Sequence, residues 1–380
     1  MIDKKYFCYE IYKNLAIWST ADGQVGYNPC SYFDGYIQKS DSINIAEVWN
    51  GPGHLELKQH VENDIPIKGC ERCYKEEQHG LVSRRLGSKQ LYENFHRDTT
   101  IDVSGPHGID YSVGNLCNLK CVICGPENST SWIQDYQQLN PTRLVHMFKH
   151  KKNKQIVINN TDNLGEIKNI HFHGGGEPLL SDSHVKLLQL VKKTKGLGDV
   201  RVFYNTNGTT KVDQQVLDLW SECKLIEIYF SIDDIGQRFN YQRTNADWQE
   251  LIDNLKWFYQ YMPHNHMFKI NCTWSYLNFY YLNELIDWHQ QEFSCNRYGD
   301  RTDLIFQKAI GTYALNFISQ LAFDKKKKKF SQYSNLQALL MSLSIDDTYS
   351  HDVFWKEITR LDSVRNKDFK SLCSDWVELL

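Results

Sequence analysis

The chain has 380 residues, of which 41% are hydrophobic and 13% aromatic, including 22 Tyr and 10 Trp, with a formal net charge of −3. That length suits a large barrel plus an appendage, and the near-neutral charge gives no global electrostatic footprint for nucleic acid or an anionic membrane. No stretch approaches the roughly 18 consecutive apolar residues of a membrane span, and the opening "MIDKKYFCYEIYKNLAIW" lacks the apolar run and small-residue cleavage site of a signal peptide. The expectation is a cytoplasmic protein with no membrane partner. In a reducing compartment its eleven cysteines argue for metal or catalytic thiols rather than a disulfide framework.

Residues 1–100 read as a small α+β unit. "LAIWSTADGQVGYNPC" suggests two short strands around turns at Asp22-Gly23 and Gly26, and "NIAEVWNGPGHLELKQHV" a helix interrupted by Gly-Pro-Gly. From residue 101 to about 310 short apolar runs alternate with helical patterns. "GIDYSV", "IKNIHFH", "DVRVFYNTNG", "KLIEIYFSIDD", "HMFKINCTWS" and "TDLIFQKAI" read as strands. Between them "NSTSWIQDYQQL", with a capping hydroxyl near Ser129, "SDSHVKLLQLVKKT", opened by Ser181 or Asp182, "KVDQQVLDLW", "ADWQELIDNLKWFYQYM" and "LNELIDWHQQ" read as helices. This alternation predicts an α/β fold of parallel βα units, a partial (β/α)6 TIM-like barrel with its site at the C-terminal ends of the strands. Residues 311–380 read as a helical, charged extension with amphipathic segments at "NLQALLMSL" and "DVFWKEITRL"; the run Lys325–Lys329 is either a solvated face or a contact for an acidic partner.

The cysteines are unevenly placed. Cys117, Cys121 and Cys124 form C-x3-C-x2-C in "CNLKCVIC", directly after the first strand of the alternating region. A structural zinc site closes its shell with four ligands. Three thiolates without a fourth suit a centre that keeps one coordination position open, as when a four-iron cluster is held by three cysteines. Cys8, Cys30, Cys70 and Cys73 form a separate set of four, ending in C-x2-C, while Cys223, Cys272, Cys295 and Cys373 are isolated.

The three-cysteine loop resembles that of the radical S-adenosylmethionine (SAM) superfamily, and further motifs over residues 105–310 are similar to those of the same superfamily. Gly175, Gly176 and Glu177 in "GGGEP" resemble the motif at the SAM amine, where glycines admit a ligand close to the backbone. Asn205 and Asn207 in "YNTNGT", and Ser231 and Asp233 in "FSIDD", are similar to positions that contact the SAM ribose or carboxylate. Arg243 resembles an arginine that pairs with the SAM carboxylate; a surface salt bridge is the alternative. Ile123 stands where an aromatic residue is common, and its backbone could still meet adenine.

The resemblance implies a SAM-binding [4Fe-4S] cluster, a 5′-deoxyadenosyl radical that abstracts hydrogen from substrate, and an electron donor such as flavodoxin or ferredoxin. The N-terminal cysteines and their surroundings resemble a twitch or SPASM-type auxiliary domain, here ahead of the barrel. That implies a second [4Fe-4S] cluster, with a four-thiolate zinc site as the rival.

An electron-accepting auxiliary cluster would make the chemistry a net oxidation, the work of an oxidoreductase, and a thiol donor would make it an epimerisation. Cys272, near the end of the fifth strand, is the candidate hydrogen donor or else a small buried apolar residue. His171 and His173 alternate on one strand face, as a metal pair or as hydrogen-bonded histidines. Tyr204, Tyr229, Trp274 and Tyr276 are candidates for a substrate cavity or for the core. No winged-helix leader-binding unit is recognisable before Cys8, which favours a small-molecule or carrier-bound substrate over a peptide. A non-catalytic iron–sulfur or zinc scaffold is a third reading, which the intact strand-end motifs oppose.

Overall fold

Strand-forming runs of Ile, Val, Phe and Tyr build one nine-stranded sheet in the computed structural model, which describes all residues except 1–3, 21–23, 79, 81, 96–98, 102, 113, 143–162, 294–301, 310, 347 and 349. The strands are β1 (Asn14–Ser19), β2 (Val25–Asn28), β3 (Gln38–Ser40), β4 (Gly108–Ser112), β5 (Asn169–Phe172), β6 (Arg201–Thr206), β7 (Leu225–Ser231), β8 (His266–Trp274) and β9 (Asp303–Lys308). Their order is β3-β2-β1-β4-β5-β6-β7-β8-β9. The strands β4 to β9 are the six expected ones, all paired in parallel.

Helices cross between them where expected, with the caps the sequence offers. Asp213 accepts from Val216 N at 3.0 Å to open Gln214–Ser221, and Asp247 accepts from Glu250 N at 2.9 Å to open Trp248–Tyr261. Outward-facing Ile226, Ile228 and Phe230 of β7 and Phe268 and Ile270 of β8 are buried under this helical shell. The inward face is polar and wraps a cavity of about 820 Å³, lined from Asn14 of β1 round to Gln307 of β9. The sheet therefore curls as a partial barrel, and this α/β architecture agrees with the sequence expectation.

One arrangement differs from the expected division into parts. β1 pairs in parallel with β4, Asn14 opposite Gly108 through Trp18 opposite Ser112, so the first hundred residues extend the barrel sheet. They also keep a small core of their own around Phe7, Tyr9, Leu57 and Val61. The helix over this region breaks at Gly-Pro-Gly, into Ile45–Trp49 and Pro52–Glu62. Asp22, Gly23 and Cys295 lie outside the described residues.

The C-terminal helices pack back on the barrel: Trp376 Nε1 donates to Tyr276 O at 2.6 Å, and Phe354 stacks on Tyr276 with centroids 4.8 Å apart. The run Lys325–Lys329 ends the helix Gln320–Lys329 and is not uniformly solvated. Lys326 is fully buried, its ammonium 3.3 Å from the Tyr280 ring centroid, and burial pulls its pKa down to about 6. Among the described residues no helix is long and apolar enough to cross a membrane.

Candidate active site

In a parallel sheet the residues just past the strand C-termini converge at one rim. Here the cysteine loop follows β4, the glycine run follows β5, Asn207 follows β6 and Asp233 follows β7. Backbone bonds hold the cysteine loop on both sides. Val122 N donates to Gln242 O at 2.7 Å and Lys120 N to Thr244 O at 3.0 Å, while Ser131 Oγ donates to Cys117 O at 2.8 Å and Trp132 Nε1 to Cys121 O at 2.7 Å.

Donors point at the sulfurs themselves. Leu119 N and Asn207 Nδ2 approach Cys117 Sγ at 3.4 and 3.9 Å, and Arg243 Nη1 lies 3.8 Å from Cys121 Sγ. Cys124 is exposed and hydrogen-bonds to buried Cys121. That bond, working against burial and assisted by Arg243 and Arg365, pulls the Cys121 thiol down to about 7. Among the described residues no three His, Cys, Asp or Glu side chains stand at metal-ligating spacing, so the three thiols are neighbours without forming a closed cage. Their softness and the donors aimed at them fit an iron–sulfur cluster.

Gly174, Gly175 and Gly176 all take positive φ (64, 61 and 85°), which L side chains avoid. A Cβ on Gly175 would sit 2.8 Å from Gly114 O, and one on Gly176 2.9 Å from Leu116 O. The glycines thus let the β5 end lie directly against the segment leading to Cys117, bonded through Gly176 N to Asn128 O and Glu177 N to Leu116 O at 2.8 and 2.7 Å.

Glu177 is buried, and its carboxylate accepts from Thr206 Oγ1 and Asn207 N, both at 2.7 Å, and from Leu179 N at 3.1 Å. It clamps the β5 end to the β6 end. Asp233 is engaged as well: Oδ1 accepts from Thr273 N at 2.8 Å and Oδ2 meets Arg243 Nη2 at 2.7 Å. Arg243 is therefore no surface salt bridge, and its Nε is buried without a hydrogen-bond partner among the described residues. Ser231 is half-buried at the end of β7, Asn205 faces the cavity from β6, and Ile123 packs half-buried on the core.

Cys272 is placed against its expected role. β8 alternates, with Met267 and Lys269 lining the cavity and Phe268, Ile270, Cys272 and Trp274 buried on the other face. The Cys272 thiol is fully buried against Asp233 O at 3.6 Å, facing away from the cavity, and a hydrogen-donor role there does not suit it. Tyr204, Trp274 and Tyr276 are likewise core residues, whereas Tyr229 lines the cavity.

The cavity wall holds polar residues that sequence reading missed. Buried Asp110 of β4 meets His171 Nδ1 at 3.2 Å, His173 Nε2 at 3.6 Å and Arg84 Nη2 at 3.2 Å, and accepts from Asn14 Nδ2 at 3.3 Å. Burial opposes its charge, yet these partners hold its pKa well below the carboxylate range. Arg84 also pairs with Glu10 at 3.3 Å, and on the opposite wall Lys269 pairs with Glu227 at 3.1 Å. His171 and His173 are thus hydrogen-bonded histidines. For the missed ones, Asp110, Arg201, Glu227 and Lys269, the signal was present: like His171 and Tyr229, already candidates from the sequence, they are polar residues at inward positions of otherwise apolar strands.

Cys8, Cys30, Cys70 and Cys73 lie near one another at the opposite rim, ahead of β1, and among the described residues no three of them stand at metal-ligating spacing either. Burial is the largest cause raising the thiols of Cys8, Cys30 and Cys70, and the four lie close enough for charge on one to disfavour charge on others. Six residues of β1, about 20 Å of strand, separate the two rims.

Residues 111–273 match the profile described as the radical SAM superfamily. No curated protein matches the chain. Among solved structures it is similar to native anSMEcpe with bound AdoMet, at 18% identity over 63% of this chain and 62% of that one, with a TM-score of 0.39. It is also similar to Streptococcus suis SuiB bound to S-adenosylmethionine (13% identity, 81% of this chain, 65% of that chain, TM-score 0.35) and to TYW1 with a lysine-pyruvate adduct bound (16%, 62%, 74%, 0.31). The chain spans 62% of the length of the first of these. The match over residues 111–273 takes in the cysteine loop, the glycine run and β5 to β7.

Proposed function

We propose that this chain, whose residues 111–273 form a radical SAM domain, is a radical SAM oxidoreductase acting on a small-molecule or carrier-bound group held in the barrel cavity. The observation that carries the reading is the placing of the Cys117, Cys121 and Cys124 loop beside the positive-φ glycines of β5, at the C-terminal end of a barrel whose interior holds a cavity of about 820 Å³ reaching up to His173 and Asn205. That volume lies in the range of small-ligand sites, roughly 300–1,000 Å³.

Cys117, Cys121 and Cys124 hold the [4Fe-4S] cluster, which when bound supplies the one-electron cleavage of SAM that starts hydrogen abstraction. Leu119 N, Asn207 Nδ2 and Arg243 stabilise thiolate charge. The glycine run brings the β5 end against the cysteine loop, where its backbone would meet the SAM amine, while Asn205 and Ser231, whose side chains have no hydrogen-bond partner among the described residues, would serve the ribose contacts. Glu177 and the Asp233–Arg243 pair act by position, since both carboxylates and the Arg243 Nη atoms are already engaged by the protein. The polar wall around Asp110, His171 and Lys269 orients the substrate. Cys8, Cys30, Cys70 and Cys73 would hold a second cluster able to take up one electron, and a flavodoxin or ferredoxin would be the donor for the first cluster. The cytoplasm suits both centres.

Anaerobic reconstitution tests this. About eight irons per chain and release of 5′-deoxyadenosine with SAM and dithionite are expected. About four irons, lost in the Cys117/Cys121/Cys124→Ala variant, would remove the second cluster, and no iron with no deoxyadenosine would overturn the enzyme reading. Turnover of a peptide but of no small molecule would overturn the substrate class.

A further inference from the structure

The C-terminal helix Asp352–Arg365 lies outside the matched domain, yet its last residue reaches the underside of the cysteine loop. The Arg365 side chain is 1% exposed. Its Nε donates to Asp135 Oδ2 at 2.6 Å, its Nη1 donates to Thr244 Oγ1 at 3.3 Å, and its guanidinium carbon stands 4.2 Å from the Trp132 ring centroid. Each partner touches the loop. Trp132 Nε1 donates to Cys121 O at 2.7 Å, Thr244 O accepts from Lys120 N at 3.0 Å, and Asp135 Oδ1 accepts from Lys120 Nζ at 2.8 Å. Arg365 Nη2 remains buried without a hydrogen-bond partner among the described residues.

We propose that Arg365 is a positioning residue for the cluster site: it braces the cysteine loop through Trp132, Thr244 and Asp135, and its fixed charge sets the reduction potential of the cluster held there. The inference rests on the cluster reading above. Reduction adds one negative charge to the cluster, and a permanent cation in a poorly screened interior favours the reduced form, raising the potential. Arginine suits the task because it stays charged when buried and its planar fork serves several partners at once. Lys120, Arg243 and Lys367 add cations to the same locality, and Asp135, Asp233 and Glu177 oppose them. A change at Arg365 or Asp135 therefore alters the balance in opposite directions.

The test is a redox titration of the full reconstituted chain, without substrate, following the electron-paramagnetic-resonance signal that changes on adding SAM. Arg365→Gln is expected to keep wild-type iron and shift the midpoint to lower potential, Arg365→Lys to return it toward wild type, and Asp135→Asn to shift it upward. Wild-type midpoints in both Arg365→Gln and Asp135→Asn would overturn the proposal. If Arg365→Gln does not fold, the direction of the Asp135→Asn shift decides. A wild-type chain that takes up no iron would bring down the functional reading itself, a result separate from an unmoved midpoint in an iron-loaded variant.

Discussion

Asp233 and Arg243 form a buried ion pair, Oδ2 to Nη2 at 2.7 Å, joining the end of β7 to the segment that backs the cysteine loop. Burial works against both charges, so their mutual attraction must offset desolvation. Arg243→Met leaves a buried carboxylate with Thr273 N as its remaining donor. The expected loss is about 3–5 kcal/mol, the range for breaking a buried pair, read from urea unfolding of the apo chain. Asp233→Asn/Arg243→Met together should lose less than the sum of the single variants, since neither then leaves an uncompensated charge.

Glu177 makes a second test of positioning. A glutamine offers one acceptor oxygen where three donors converge, and its amide faces either Asn207 N–H or Leu179 N–H with the wrong polarity. Glu177→Gln should lose about 1–3 kcal/mol per donor left unsatisfied. Asn207 should then be released from Cys117, lowering iron uptake on reconstitution.

Two buried histidines give the fold an acid limit. Burial pulls both His54 and His184 down to about 4 from 6.5. Tyr204 OH accepts from Trp220 Nε1 at 3.1 Å and lies 3.0 Å from His184 Nδ1, an arrangement that suits the hydroxyl donating to an unprotonated nitrogen. His54 Nε2 donates to Ile11 O at 2.7 Å and leaves Nδ1 buried without a partner. A histidine with a lowered folded pKa binds its proton first in the unfolded chain. Stability is therefore full above about pH 6.5, falls as pH drops toward 4, and levels off below it, the loss being of order a few kcal/mol per group. Unfolding midpoints at pH 8 and pH 5 measure this, and His184→Gln should flatten the dependence.

Cys272→Ala should cost about 1–2 kcal/mol through lost packing and the cavity it leaves. Deoxyadenosine release from the reconstituted variant should stay within about twofold of wild type, because the thiol faces the helical shell. A tenfold fall with unchanged iron would return Cys272 to the reaction.

Much of this architecture was legible in the chain because the signals are local. Period-two runs and capping residues such as Asp213 and Asp247 act over a few positions, and they give the six parallel strands with their helices. Three thiols within eight residues likewise share a loop whatever surrounds it. The pairing of β1 with β4 was hidden, because nothing in "NLAIWS" says which of several apolar strands it will join. The Asp110 network was equally hidden. Its partners Glu10, Arg84 and His171 come from distant segments, and only the pleat direction and the curl of the sheet aim them at one point.

Sequence by itself determined the elements, their alternation, and which residues carry soft ligands or backbone freedom, since each depends on a side chain and its near neighbours. Tertiary structure decided the rest: that Cys8, Cys30, Cys70 and Cys73 lie near one another at the rim opposite Cys117, that Glu177 and Arg243 are engaged by protein partners, and that Arg365 lies under the cysteine loop. The physical reason is range. Burial, pairing and the field of a buried charge depend on groups many residues apart, and closing the chain around a common core brings them within a few ångströms.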